Sequence, residues 1–422
     1  MGIFFFISCA VPMDHGNSSA FFALDFFGVN ILLTDLFYLI IILSCLFNTF
    51  FSYTPLIDLT EIRVSKRKLV LSVFFVSVLL AFFIGIYSGH NIDNVLYALR
   101  PLLYLSLLFF NFDSKKFNIP INIFNGLMLI GFSLHVLFIL SLYIFPEFSF
   151  YFSDLTESSG LGRIAFHNDF LIFFIFPLLY PFYMAQRSII GKVILYFLVV
   201  LFLLKLVISM GRGNIIFLIL GYISYNIFKS KFFSFDVIWK LSKFFPIAFF
   251  SFLLLNNYIL PLIWGDNYDL FLDIYKGRFL NYGDDDFQDT HVSNRLIMWL
   301  AGLKEFFGSP FLGHGLGYMF AIDSSEWSSG KVFFVDSSLL TILIKLGLFG
   351  TIPLVYYLFV ILKDSIRGIE YSIDRSFFHQ HRIAYFKGLI GFYIFSLFNS
   401  LLVSSPAIFA FVMIVLYNKK SE

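Results

Sequence analysis

Residues 69–87 read LVLSVFFVSVLLAFFIGIY, a run of apolar side chains without a single charged residue. A helix needs about 20 predominantly apolar residues to cross the hydrocarbon core of a bilayer, and this run is long enough. Lys66, Arg67 and Lys68 stand directly before it, and such basic flanks are typical of the cytoplasmic end of a membrane helix. The segment therefore predicts a transmembrane helix, and runs like it recur along the chain.

The composition of the whole chain agrees with a membrane protein. Of its 422 residues, 59% are hydrophobic and only 13% are charged, which is too little polar material to cover a water-soluble body of this size. The formal net charge is +2, and the basic residues lie in short loops rather than along one stripe. This distribution argues against a nucleic-acid partner and makes the bilayer the expected solvent.

Eleven apolar runs predict membrane-spanning helices. They cover residues 32–47, 69–87, 95–110, 121–144, 164–184, 190–208, 215–228, 244–263, 339–362, 384–400 and 402–417. A twelfth, short span at residues 3–11 would not change the side on which any later loop lies. The expected fold is all-α: a polytopic inner-membrane helical bundle of 11–12 transmembrane helices with one long periplasmic loop.

Lys and Arg in the connecting loops set the orientation, because these residues are retained on the cytoplasmic side. Alternate connections are basic, at residues 63–68, 115–116, 187–192, 229–243, 363–387 and 419–420, whereas the others are acidic or neutral. The predicted organisation is a first set of transmembrane helices at 1–263, a periplasmic loop with short helices at 264–335, and C-terminal transmembrane helices at 336–422. The C-terminus is expected in the cytoplasm.

Three arginines are predicted to lie on the external face close to helix starts: Arg163, Arg212 and Arg295. A helix N-terminus favours an anion through its free N–H groups and its dipole, and a guanidinium adds a planar cation suited to phosphate oxygens. Together the three indicate a diphosphate site. The alternative for any one of them is snorkelling to the interface or an ion pair with a loop carboxylate.

Four ionisable residues lie inside the apolar runs: Asp35, Arg100, Lys205 and Lys345. Such residues are costly in lipid and usually face a polar cavity or a partner. The sequence allows either a cavity open toward the outer leaflet or pairing, for example of Asp35 with Arg100 or with Lys205.

The external segments also contain candidate bases and ligands. His90, His167, His291 and His314 are expected to pack or to form hydrogen bonds rather than to catalyse. Asp336 stands between the long loop and the helix near residue 339, where it could act chemically or serve as the helix N-cap.

Several of these segments resemble the signature of the O-antigen ligase and O-antigen polymerase superfamily. Arg295, Trp299 and the stretch GSPFLGHGLG at 308–317 carry the clearest similarity, and LGLFG at 346–350 is similar to the helix that follows it in that family. SMGRG at 209–213 and Arg163 with His167 and Asn168 resemble further elements. The similarity thus extends from about residue 163 to residue 350.

The resemblance implies an inverting, metal-independent glycosyltransferase without a cofactor. Its donor and acceptor would be undecaprenyl diphosphate-linked glycans, handled at the periplasmic face, and a chain-length regulator protein is a further candidate partner. Arg212 and Arg295 would act in catalysis, with Arg163, His167 and Asn168 at the substrate. Further candidates for substrate binding are Arg278, His291 and His314.

One position departs from the ligase pattern. Ligases of this superfamily typically carry a His-Asn pair before the downstream helix, whereas this chain has Asp336 and Ser337. The departure favours the polymerase, with Asp336 in the slot of the ligase histidine and acting on the acceptor hydroxyl, and leaves the ligase as the alternative. A lipid-linked oligosaccharide flippase is the alternative of another class, against which the long loop and the boundary arginines speak.

Overall fold

The structure is a computed structural model. It describes residues 6, 23–26, 29–51, 66–109, 121–144, 167–208, 216, 218–221, 223–224, 290–321, 331–335, 337–371, 377–399, 401–403 and 405–419. The helices in these ranges are α1 (Leu33–Phe51), α2 (Lys66–Tyr87), α3 (Ile92–Tyr104), α4 (Ile121–Ile144), α5 (Ile172–Ala185), α6 (Ile189–Ile208), α7 (Thr290–Gly308), α8 (Ser338–Tyr371), α9 (Phe377–Phe398) and α10 (Ser405–Lys419). Two short antiparallel strand pairs join β1 (Ala23–Phe26) to β2 (Val29–Leu32) and β3 (Phe320–Ala321) to β4 (Lys331–Val332).

Four helical segments of the described residues are long and apolar enough to cross a membrane. They are Leu69–Tyr87, Ile123–Ser141, Ile189–Leu206 and Ser338–Ile369. Large apolar side chains such as Phe83, Phe197 and Phe359 point outward from them, as expected for surfaces in contact with lipid. The prediction of an all-α polytopic membrane protein is confirmed, whereas the total of eleven or twelve spans stays a prediction.

The helix bounds agree with the sequence in some places and correct it in others. The prediction at 121–144 is matched by α4. The run at 95–110 is not one helix, because α3 contains Pro101 and ends at Tyr104, where a 3₁₀ segment (Leu105–Phe109) follows. A 3₁₀ segment (His167–Leu171) likewise precedes α5 in the predicted run 164–184. The predicted spans at 3–11 (except Phe6), 215–228 (in large part) and 244–263 lie outside the described residues.

The chain divides into two compact units, and the first comprises residues 1–128, 291–371 and 393–422. Within it, α8 packs along α2, where Gly350 allows close approach: a Cβ there would lie 2.7 Å from the Ser77 hydroxyl. The helix α10 packs on α3, and the rings of Tyr104 and Phe409 meet with centroids 5.4 Å apart.

The second unit comprises residues 129–290 and 372–392. Here α5 packs on α6, and the rings of Phe132 on α4 and Phe202 on α6 lie 5.2 Å apart. The part of α9 in this unit approaches α5 at Gly388, where a Cβ would come within 2.5 Å of the Phe174 ring. The three-part division of the chain into 1–263, 264–335 and 336–422 stays a prediction.

Candidate functional site

The most unusual backbone feature of the first unit is a break in α8 at Gly347. This residue has φ 62° and ψ −167°, a conformation that side chains larger than hydrogen rarely adopt. A Cβ at this position would lie 2.3 Å from the Phe311 carbonyl oxygen and 2.5 Å from the Gly313 nitrogen. The break therefore depends on glycine, and the loop after α7 fills it.

On the N-terminal side of the break, the loop supplies hydrogen-bond donors. The His314 N–H donates to the Ile344 carbonyl at 2.8 Å, and the Gly315 N–H donates to the Lys345 carbonyl at 3.1 Å. These carbonyls would otherwise have lost their helical partners at the break. Unpaired backbone groups cost several kcal/mol each in lipid, so the loop stabilises a helix break that lipid alone would not tolerate.

On the other side of the break, the same loop supplies acceptors. The N–H groups of Leu348 and Phe349 donate to the carbonyls of Pro310 and Phe311, at 2.8 Å and 3.0 Å. The segment GSPFLGHGLG thus replaces one helical turn's worth of hydrogen bonds on both sides of Gly347. The segments GSPFLGHGLG and LGLFG, which both resemble the superfamily signature, are therefore joined by backbone hydrogen bonds in the fold.

His314 has a structural part in this arrangement. Its Nε2 donates to the Glu305 carbonyl oxygen at 2.8 Å, and its ring stacks on Tyr318 with centroids 4.3 Å apart. The His90 Nε2 in turn donates to the His314 carbonyl at 3.1 Å. Because the Nε2 of His314 is engaged, the geometry favours the packing and hydrogen-bonding interpretation of this histidine.

Tyr318 and Glu305 form a polar contact next to this stack. The Tyr318 hydroxyl donates to Glu305 Oε2 at 2.5 Å. Burial, the hydrogen bond and the negative charge of Glu305 raise the pKa of Tyr318 to about 12. The phenol therefore stays protonated throughout the physiological range and acts as a fixed hydrogen-bond donor.

Arg295 lies on α7 with its side chain exposed. The sequence placed Arg295 close to a helix start, and α7 begins at Thr290, which puts Arg295 in the second turn, beyond the free N–H groups of the helix start. The buried face of α7 packs through Met298 against Val335 and Leu340. The helix that carries Arg295 and the segment before α8 therefore pack against each other.

The start of α8 corrects one interpretation of Asp336. The Ser337 hydroxyl accepts a hydrogen bond from the Leu340 N–H at 3.3 Å, and the Ser337 carbonyl accepts from the Thr341 N–H at 3.0 Å. This is the geometry of an N-cap residue, so the hydrogen bonds assign the cap of α8 to Ser337, whereas the sequence offered Asp336 for this role. Asp336 itself lies outside the described residues.

Other predicted site residues fall largely outside the described part of the chain. Arg163, Arg212 and Arg278 lie outside it entirely. The backbones of His167 and Asn168 lie in the 3₁₀ segment before α5, and that of His291 lies in the first turn of α7. Their assignments stay predictions.

Three of the four ionisable residues predicted within the apolar runs are in ion pairs, although Lys205 pairs with Asp169 instead of Asp35. In the first unit, Arg100 Nε lies 3.2 Å from Asp35 Oδ2, and the Tyr104 hydroxyl also donates to this carboxylate. The pairing alternative is confirmed for Asp35 with Arg100. In the second unit, Lys205 Nζ lies 3.1 Å from the carboxylate of Asp169.

Sequence reasoning missed Asp169 and His135. His135 Nε2 lies 3.3 Å from Asp169 Oδ1, so the carboxylate links α4, the 3₁₀ segment and α6. A signal was present, since a lysine deep in an apolar run often pairs with a carboxylate, and Asp169 stands in such a run.

Lys345 is the third predicted intramembrane cation, and it has a different environment. Its Nζ lies 3.3 Å from the ring centroid of Phe333 and 4.4 Å from that of Phe334. The side chain is 4% exposed, and in the described part of the chain its Nζ has no hydrogen-bond partner. The ammonium therefore makes cation–π contacts with two aromatic rings.

A metal site does not emerge from the described residues, where no group of three or more His, Cys, Asp and Glu side chains is arranged to hold an ion. The chemistry available at the described part of the site is that of an exposed guanidinium on α7 and a loop fixed by backbone hydrogen bonds.

Residues 197–355 match the family model described as O-antigen ligase. The matched region contains Arg212, Arg295, the loop at 308–317 and the break at Gly347, whereas Arg163 and His167 precede it. The match supports the O-antigen ligase and polymerase superfamily without separating ligase from polymerase. No curated protein matches the chain.

Proposed function

We propose that the chain is a polymerase that joins undecaprenyl diphosphate-linked oligosaccharide repeat units into O-antigen or a related surface polysaccharide. The single observation that supports a function of this superfamily is the family match at 197–355, which includes the loop docked into the break of α8, and the choice of polymerase over ligase depends on Asp336. The match lends no support to a flippase. The site would face the periplasm, in a bacterial inner membrane, with the C-terminus in the cytoplasm.

The reaction needs a nucleophile, a leaving group and a proton acceptor. The hydroxyl of the acceptor sugar attacks the anomeric carbon of the donor, a new glycosidic bond forms, and the bond from that carbon to the diphosphate oxygen breaks with inversion. The lipid diphosphate leaves with an additional negative charge. Fixed cations at this oxygen stabilise the transition state more than the ground state, which lowers the barrier without a metal.

We assign the cationic role to Arg163, Arg212 and Arg295. The assignment depends on the external membrane face that the loop charges predict for all three, and on the fork of the guanidinium, which fits two phosphate oxygens at once. The exposed Arg295 side chain is accessible to a ligand at that face.

We assign to Asp336 the role of orienting or deprotonating the hydroxyl of the acceptor sugar. The cap hydrogen bond from the Leu340 N–H goes to the Ser337 hydroxyl, which supports a role for Asp336 other than the N-cap. A carboxylate with a reference pKa of about 3.9 is a weak base, but the demand is modest when proton transfer is late and attack has already made the hydroxyl acidic. The Asp336 position, where ligases carry histidine, favours the polymerase over the ligase.

One assay separates the candidate functions. Purified protein in detergent receives a single defined lipid-linked repeat unit, and the products are separated by size. A ladder of lengthened glycans supports a polymerase, and transfer that requires added lipid A core indicates a ligase. Absence of any transfer would refute both enzyme functions. It is the result expected of a transporter, which makes no new glycosidic bond and has no membrane to act across in detergent.

Variants at Arg295 test the mechanism in the same assay. Arg295→Ala should reduce polymer formation by at least about 100-fold, on the order expected when a transition-state charge contact is lost. Arg295→Lys should not restore it, because lysine lacks the bidentate fork. Lys304→Ala removes another exposed cation of α7 and is the matched control, expected to polymerise normally. Normal polymer from Arg295→Ala would contradict the diphosphate assignment.

A further inference from the structure

We propose that Thr341 and Lys345, one turn apart on the buried side of α8, are positioning residues that hold the segment carrying Asp336 at the acceptor sugar. This inference rests on the proposed function, and it adds two residues that no sequence feature singled out for the reaction. Val335 and Ser337, the residues before and after Asp336, are each held by hydrogen bonds to residues of α8.

The Thr341 hydroxyl clamps the residue that precedes Asp336. Its Oγ1 accepts a hydrogen bond from the Val335 N–H at 3.1 Å and donates to the Val335 carbonyl at 3.2 Å. The Val335 carbonyl also accepts from the Ser337 N–H at 2.6 Å. The two residues that flank Asp336 in the chain are thus tied to each other, and both are tied to the first turn of α8.

The clamp is dry. Thr341 and Val335 are each 1% exposed, so water has no access to replace the hydroxyl. A buried backbone N–H requires a partner, and Thr341 supplies the one that Val335 has in the described structure. A change of this single side chain would therefore leave the fold of α8 in place but release the turn in front of it.

Lys345 holds the same segment two residues earlier. Its ammonium lies over the rings of Phe333 and Phe334, which pack edge to face with centroids 4.4 Å apart. Tyr97 of α3 packs against both rings, with centroids 5.6 Å away. The segment 333–335 is therefore fixed at its aromatic side chains by Lys345 and at its backbone by Thr341.

The contacts described for both side chains go to the segment 333–335. The Thr341 hydroxyl uses its proton and an oxygen lone pair on Val335, and the Lys345 ammonium lies over the rings of Phe333 and Phe334. Their effect on the reaction passes through the residue they position. A misplacement of a reacting group by about 1 Å can slow a reaction by about 100-fold while substrate binding persists.

The test uses the full-length protein in detergent with one defined lipid-linked repeat unit. Thr341→Val keeps the shape of the side chain but removes the hydroxyl, and it should lower kcat by about 10- to 100-fold with KM changed by less than about twofold. Thr341→Ser restores the hydroxyl and should recover most of the activity. Thr351→Val is the matched control, because it also removes a buried hydroxyl of α8, one bonded to the Gly347 carbonyl at 2.7 Å.

A double-mutant cycle with Asp336→Asn distinguishes positioning from general structural damage. If Thr341 acts through Asp336, Thr341→Val should cost little more once Asp336→Asn is present. Losses that multiply independently, or a Thr341→Val enzyme with wild-type kcat, would overturn the proposal. Wild-type protein that forms no glycan product would instead refute the proposed function, so the two failures are distinguishable.

Lys345→Met provides a second, independent cycle. Methionine keeps an unbranched side chain against Phe333 and Phe334 but removes the charge. The same pattern is expected, a lower kcat with an unchanged KM and no further loss in the Asp336→Asn background. Should Thr341→Val fail to accumulate in the membrane, this cycle decides the proposal by the same criteria.

Discussion

Replacement of Lys205 by methionine should destabilise the second unit, because it removes the cation of a buried ion pair. Lys205 is 2% exposed, and its ammonium lies 3.1 Å from the Asp169 carboxylate. At this distance two unit charges attract by about 5 kcal/mol with an effective dielectric constant of about 20. Lys205→Met removes this attraction but leaves the carboxylate buried.

The expected magnitude follows from what is left behind. Loss of one member of a buried ion pair typically costs about 3–5 kcal/mol, because the remaining charge keeps its desolvation penalty. His135 still contacts Asp169 at 3.3 Å, so we expect the lower end of that range, about 3 kcal/mol. The double variant Lys205→Met with Asp169→Asn should recover most of the loss, because no buried charge then remains at these two positions.

The free energy of unfolding of the four proteins of this cycle can be measured by denaturant titration in mixed micelles. Lys192→Met is the matched control on the same helix, where the ammonium lies 5.5 Å from the Tyr183 ring and its loss should cost less than about 1 kcal/mol. A double variant that is as unstable as the sum of the two single variants would show that the two residues do not interact, and would refute the ion pair as a source of stability.

Two further predictions concern the first unit. Gly347→Ala should release the loop at 309–317 from α8, because a positive φ costs about 1–2 kcal/mol with a side chain and the added Cβ would lie 2.3 Å from the Phe311 carbonyl oxygen. The measurement is hydrogen exchange of the loop amides, which should become faster. The control is Gly126→Ala, where the added Cβ would meet no atom within 4 Å, and unchanged exchange in Gly347→Ala would contradict the prediction. The difference in phenolate absorbance between wild type and Tyr318→Phe should titrate near pH 12. Because the pKa of Tyr318 is raised in the folded state, its hydrogen bond to Glu305 stabilises the fold below pH 10 and is lost as the pH rises toward 12; titration near the ordinary value of 10 would refute this.

The membrane-spanning character of the chain could be predicted because transfer into lipid depends on the local sum of side-chain hydropathies. The apolar run at 121–144 forms one helix with those bounds. Runs interrupted by residues with special backbone behaviour were less predictable. The helix α3 ends three residues after Pro101, although the apolar pattern continues to residue 110.

The candidate site was predictable only in part. The sequence predicted that Asp35 could pair with Arg100, because both lie in apolar segments with few other charges, and this pair is present. The partner of Lys205 could not be chosen in the same way, since which carboxylate lies within reach depends on how the helices pack. The N-cap of α8 also depended on local geometry that residue type alone does not separate, because both Asp336 and Ser337 are good caps.

The sequence by itself determined that the chain resides in a bilayer, which loops carry the cations and which short motifs resemble a known family. These properties follow from composition and order along the chain. The tertiary structure decided that the loop with His314 fills the break of α8 at Gly347, and that the Thr341 hydroxyl holds Val335 beside Asp336. Both contacts end on backbone groups, which every residue possesses, so the side-chain pattern alone does not identify the partners.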